Sequence, residues 1–208
     1  METVHLFVFD TLSDWETGFA TAWITSPGMG LPQDRFTVET VAETNDPIRT
    51  AGGLRILPDH LLGDIDPIDS AMLILPGGGA WDEGKHQAAA EKAGEFLAAD
   101  RSVAAICGAT SGLARAGLLD TYRHTSNALE YLVATGYAGE RLYVDLPAVT
   151  DGNLITAGAV NPIEFAREIF LKLNLFPQAV LDAWYGLFKT GEAAYFYEMA
   201  LAASEANT

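Results

Sequence analysis

The chain has 208 residues, 49% of them hydrophobic, which suits one domain with a full core. A formal net charge of −16 argues against nucleic acid and anionic membrane as partners, since both require basic patches. One cysteine excludes an internal disulfide framework and thiolate-rich zinc sites, and no apolar stretch is long enough to span a bilayer. The opening residues lack the basic flank of a signal peptide. The expectation is a soluble, cytoplasmic protein whose acidity is a solvated surface.

In chain order, residues 4–10 read as a buried first strand ending on an acidic turn. A helix should run from Trp15 through Phe19, Trp23 and Ile24 and stop at Ser26-Pro27-Gly28, with Asp14 and Glu16 in its first turn. Residues 36–42 alternate as a second strand, 47–58 suggest a hairpin around Ala51-Gly52-Gly53, and 59–62 a single helical turn. The apolar run 71–75 predicts a strand covered on both faces, broken at Pro76-Gly77-Gly78-Gly79. An alanine-rich helix over 87–98 follows.

Residues 102–106 then read as a strand that turns at Cys107 into a helix carrying Leu113, Ala114 and Leu118. Small residues two places either side, Ala105 and Ala109, suit a nucleophile elbow. At a helix N-terminus the amide groups favour a thiolate. The alternative is that Cys107 is a small apolar filler. Further on, 125–135 looks helical, 142–144 and 154–156 look like short strands, and 162–173 looks like a helix with proline in its first turn. The aromatic tail, 179–203, predicts one or two helices. Alternating strands and helices make the class α/β, with a mostly parallel sheet.

Ligands in such sheets bind outside the carboxyl ends of the strands. Three chain breaks fall there, at residues 10–16, 76–79 and 107–108. The glycines could present backbone N–H groups to a developing oxyanion, or form only a tight turn. Asp14 and Glu16 are candidates to contact the Cys107 sulfur, or they cap a helix. A carboxyl beside a thiol should have a raised pKa and titrate with it. His5 reads as core, and His60 and His86 have no partner in the pattern. His124 either reaches the site or is a surface loop residue. No histidine spacing matches a metal motif, so no metal is expected.

Several stretches together resemble the ThiJ/PfpI superfamily, a class I glutamine-amidotransferase-like group. They are Asp14-Trp15-Glu16, Leu75-Pro76-Gly77-Gly78, Ala105-Ile106-Cys107-Gly108, Ala116-Gly117-Leu118-Leu119-Asp120 and Asn153-Leu154-Ile155-Thr156-Ala157-Gly158. The resemblance covers roughly residues 3–173. It implies a flavodoxin-like three-layer sandwich with helices on both faces of the sheet, and in most members a homodimer. The whole chain, 1–208, is then one domain with a C-terminal helical extension over 174–208. By motif, Cys107 is the reactive elbow cysteine, Glu16 the acid contacting it with Asp14 as the alternative, and Gly78 and Gly108 the oxyanion donors. Two departures stand out. The place where many members carry a histidine holds Asn127, with His124 three residues earlier, so these two become possible substrate-orienting residues. A Gly-Pro-Gly-Thr segment often seen late in the family is Gly158-Ala159-Val160-Asn161 here.

Members of the group include amidases, proteases, isocyanide hydratases and glyoxalases. The leading expectation is therefore a small-molecule hydrolase, hydratase or glyoxalase-like enzyme using Cys107 and Glu16, without a cofactor. The alternative is a non-catalytic, cysteine-based sensor of oxidative stress. Glutamine amidotransfer ranks last, because no histidine–glutamate pair follows His124.

Overall fold

The computed structural model describes residues 1–29, 31 and 35–206. Its centre is a seven-stranded sheet in the order β5-β2-β1-β6-β7-β9-β8. The strands are β1 (Glu2–Phe7), β2 (Phe36–Ala42), β5 (His60–Leu61), β6 (Ser70–Leu75), β7 (Ser102–Ile106), β8 (Ala148–Asp151) and β9 (Leu154–Ala157). All neighbours are parallel except β8 and β9. A hairpin of β3 (Ile48–Arg49) and β4 (Arg55–Ile56) stands apart, around the expected turn.

The central strands have continuous apolar runs because helices cover both faces. Met72 to Leu75 and Val103 to Ile106 are completely buried. Helices α1 (Asp14–Thr25) and α5 (Pro162–Lys172) pack together, as do α2 (Gln87–Ala98) and α3 (Gly108–Arg115). This is the flavodoxin-like α/β sandwich. Among the described residues no helix is long and apolar enough to cross a membrane.

Three local expectations are corrected. Residues 60–61 extend the sheet as β5 instead of forming a helical turn, since the edge of β2 offers unpaired backbone groups and Leu62 N–H donates to Ala42 C=O. Residues 142–144 make only an isolated bridge, between His124 and Tyr143, after a 3-10 turn at Glu140–Leu142. The helix expected over 125–135 shrinks to α4 (Leu129–Val133). Thr125, Ser126 and Asn127 each hydrogen-bond distant segments, and those bonds displace the local helix. The antiparallel edge strand β8 was not foreseen.

The tail forms α6 (Gln178–Thr190) and α7 (Ala193–Ala206), joined at Gly191 in a left-handed turn. Residues 207–208 of the expected extension lie outside the described residues. Trp184 and Phe188 meet Phe19 and Trp23 of α1, and Trp184 also meets Phe170 of α5. The tail thus covers the α1–α5 layer.

Candidate active site

Cys107 sits between β7 and α3 with φ 58° and ψ −125°, a left-handed conformation that non-glycine residues rarely adopt. Its N–H donates to Ala157 C=O of β9 at 3.0 Å, so the sheet carries the chain up to the bend. The Thr110 hydroxyl donates to Cys107 C=O at 2.6 Å, and Ser126 Oγ lies 2.6 Å from that hydroxyl. With the Thr110 proton committed to Cys107, Ser126 is the donor of the second bond. Backbone strain of this kind costs about 1–3 kcal/mol and persists only when the surroundings over-determine it.

Glu16 comes from the first turn of α1 and is completely buried. Gly77 N–H donates to its Oε2 at 2.6 Å, while Gly77 C=O accepts from Ser13 N–H at 3.0 Å. Both ends of the Gly77 peptide are therefore clamped to the start of α1. A Cβ on Gly77 would lie 2.7 Å from Glu16 Oε2, 2.9 Å from Cys107 Sγ and 2.5 Å from Cys107 Cβ. Carboxyl and thiol share this small space, and only glycine leaves room for both.

The titration of the two groups reflects that closeness. Burial pushes the Glu16 carboxyl up to about 7, against hydrogen bonds from Gly77, Cys107 and Ser13 that pull it down. Burial and then the Glu16 charge push the Cys107 thiol up to about 11, partly offset by Asn127 and the Gly108 N–H. The raised carboxyl matches expectation. The low-pKa thiol expected at a helix N-terminus is corrected, because desolvation and a buried carboxylate outweigh the terminal amides here. Gly77 N–H occupies Oε2, so Oε1 is the oxygen left to carry a Glu16 proton.

Asn127 stands at the sulfur. Its Oδ1 accepts from Ala159 N–H at 2.8 Å, which leaves Nδ2 to donate to Cys107 Sγ at 3.6 Å. The altered Gly158-Ala159 segment thus sets which end of the Asn127 amide faces the thiol. Asp14 points elsewhere, and Gly52 N–H donates to its Oδ2 at 2.6 Å. That removes it as the alternative acid.

His124 is neither at the site nor on the surface. It is fully buried, Nδ1 donates to Tyr122 C=O at 2.8 Å, and Nε2 then accepts from the Tyr137 hydroxyl at 3.1 Å. Burial holds its pKa down, as befits a neutral ring. His5 is core as expected, with Nδ1 3.0 Å from Ser70 Oγ.

The Gly78 and Gly108 positions meet directly, since a Cβ on Gly108 would lie 2.9 Å from Gly78 C=O. Sequence reasoning missed the Thr110–Ser126 pair that holds the bend. It also missed the polar cluster next to it, in which the Tyr131 hydroxyl contacts Asp82 Oδ1 at 2.5 Å and Ser111 Oγ at 3.2 Å. No periodicity marks such residues, and only the fold brings them together. Among the described residues no three His, Cys, Asp or Glu side chains are grouped as a metal ion would require.

Known proteins share this fold. The chain is 43% identical over 200 residues to a Bacillus subtilis protein named uncharacterized protease YoaZ, covering 94% of this chain and 95% of that one. A ThiJ/PfpI family protein from Bacillus anthracis superposes with a TM-score of 0.90 at 42% identity, covering 97% of this chain and 98% of that one. The DJ-1 superfamily protein Atu0886 from Agrobacterium tumefaciens superposes with a TM-score of 0.80 at 32% identity, covering 94% and 100%. Residues 2–172, the sheet and every element around Cys107, match the family model, and on that ground the chain belongs to the DJ-1/PfpI family.

Proposed function

We propose that this chain is a cysteine-dependent enzyme of the cytoplasm, acting as a homodimer on a small electrophilic molecule. Cys107 is the nucleophile and Glu16 the proton shuttle. The observation that carries this reading is the buried Glu16 carboxyl sharing the space beside Gly77 with the sulfur of a strained bend. The other side chain bonded to the sulfur, Asn127, has no titratable proton.

For an acyl substrate, the thiol proton passes to Glu16 as Sγ bonds to the carbonyl carbon. The C=O π pair moves to oxygen, where backbone N–H groups of Gly78 and Gly108 stabilise it. Collapse expels the leaving group, which takes the proton from Glu16. Water then cleaves the thioester, with Glu16 taking and returning a proton. The pair must begin with one proton between its two members. Activity should therefore rise as pH climbs through about 7, where the second proton leaves, and fall near 11.

The test is an assay panel of an ester, a peptide anilide, a 2-oxoaldehyde and an isocyanide, with wild type and Cys107→Ser. Turnover of at least one, abolished by the substitution with the circular dichroism spectrum unchanged, is the expected result. A fully active Cys107→Ser variant refutes nucleophilic catalysis. The relative YoaZ, named an uncharacterized protease, makes the anilide the first choice.

Asn127 in place of a base also favours a second reading, an oxidation sensor. A protonated Glu16 Oε1 would donate to a Cys107 sulfinate. Intact mass after mild peroxide decides it, since absence of two added oxygens on Cys107 removes this reading. Glutaminase chemistry lacks its histidine, because His124 is committed to Tyr122 and Tyr137.

A further inference from the structure

A cleft of about 500 Å³ opens outside the carboxyl ends of β1 and β2, on the far side of the 76–79 segment from Cys107. Gly77 lies on the sulfur, whereas Gly79 and Ala80 line the cleft. The chain leaves β1 towards β2 and β5 on one side, then returns to build β6 and β7 on the other. Such a switch point is where open α/β sheets bind ligands.

The cleft wall holds an unexplained group. The His86 side chain is only 9% exposed. Its ring packs against Phe9 at 4.3 Å, and against Phe7 and Trp81 at 5.2 Å each. Neither ring nitrogen has a hydrogen-bond partner among the described residues. Glu43 Oε1 lies 3.5 Å from Nδ1 without hydrogen-bond alignment. A buried polar group without a partner is destabilising, so this ring is kept at the expense of stability.

The rest of the wall indicates what would satisfy it. Phe9 and Ile48 supply apolar surface, and Asp10, Glu43 and Glu83 bring negative charge. Lys85, the lysine on the wall among the described residues, is already paired with Glu83 at 2.6 Å. The surplus favours a cation with an apolar body. Burial lowers the His86 pKa against the opposing pull of Glu43, which favours the neutral imidazole, and a neutral imidazole can accept a hydrogen bond. Glu43, with 40% of its side chain exposed, has room to swing and admit a donor to Nδ1.

We propose that this cleft is a second ligand site, for a small organic amine with an apolar body, in which Glu43 pairs with the ammonium and His86 Nδ1 accepts one of its hydrogen bonds. It is separate from the Cys107 chemistry and does not depend on it.

The test uses the full chain and benzylamine as probe, followed through the histidine ring resonances by NMR. Benzylamine should shift the His86 signals saturably, in wild type and equally in Cys107→Ser. Glu43→Gln in the same NMR readout, and His86→Phe by isothermal titration calorimetry against wild type, should each weaken binding at least about tenfold, with melting temperatures no lower than wild type. Glu43→Gln alters a half-exposed side chain, so it keeps the test valid if His86→Phe folds poorly. The proposal is overturned if benzylamine shows no saturable shift, or if benzoate or benzyl alcohol binds as well as benzylamine. Zn²⁺ alone perturbing the ring at equal or lower concentration overturns it too, since that marks a metal site instead.

Discussion

On one side of the 76–79 segment, Glu16 is completely buried but tied by Oε2 to the Gly77 N–H. On the other side, His86 is nearly as buried, yet it is held by aromatic ring faces and a loose 3.5 Å contact with Glu43 instead of a backbone anchor. The anchored acid can gain or lose a proton on its free oxygen without changing direction. The unanchored ring has its position set by packing and its polar atoms left open. A backbone anchor is what a proton-transfer group needs, and open polar atoms are what a binding group needs. The two regions differ in kind although they share one loop.

The strongest way to break this comparison is to remove the titrating oxygen while keeping the anchor. Glu16→Gln should lower turnover about 10²–10⁴-fold and erase the rise through pH 7, read from a pH–rate profile. An unchanged profile would show that Glu16 does not carry the proton. Stability should move as well. The folded pKa of Glu16, about 7, lies above its ordinary 4.5, so the folded state holds the proton more tightly. That contribution is complete below about 4.5 and is lost as pH rises through about 7, by up to about 3 kcal/mol. Urea titrations at pH 5 and pH 8 should show wild type losing stability and Glu16→Gln holding it.

Gly77→Ala tests the anchor itself. Its Cβ would overlap Cys107 and Glu16, costing about 1–3 kcal/mol of stability and, by displacing the reacting groups, about 10²-fold in rate. On the cleft side the sign reverses. His86→Phe removes two unpartnered nitrogens from an aromatic cage and should stabilise the fold by about 1 kcal/mol, read as a higher urea midpoint. The smallest effect belongs to Asp14→Asn. It keeps an acceptor for the Gly52 N–H, so turnover should stay within about twofold. A large loss there would return Asp14 to the site.

Much of this arrangement was legible in the chain. The glycine run after β6, the small residues around Cys107 and the acids opening α1 each carried a local reason to sit at a strand end. The choice of Glu16 over Asp14 was not legible, because residues two apart on a helix point to different faces and the start of α1 sets which one faces inward. The loop at 125–128 was misread as helix for a similar reason. Its Thr125 N–H donates to Thr156 Oγ1, and its Ser126 and Asn127 side chains bond Thr110 and Ala159, partners brought close only by the fold.

What the amino-acid order determined alone is the parallel α/β framework and the thiol at its bend, because hydrophobic period and small-residue spacing act over a few neighbours. Tertiary structure decided the proton chemistry. Burial raised both pKa values, Ala159 fixed which way the Asn127 amide faces, and packing turned His124 away while enclosing His86. Desolvation and hydrogen-bond direction depend on every group that surrounds an atom, and most of those groups are far away along the chain.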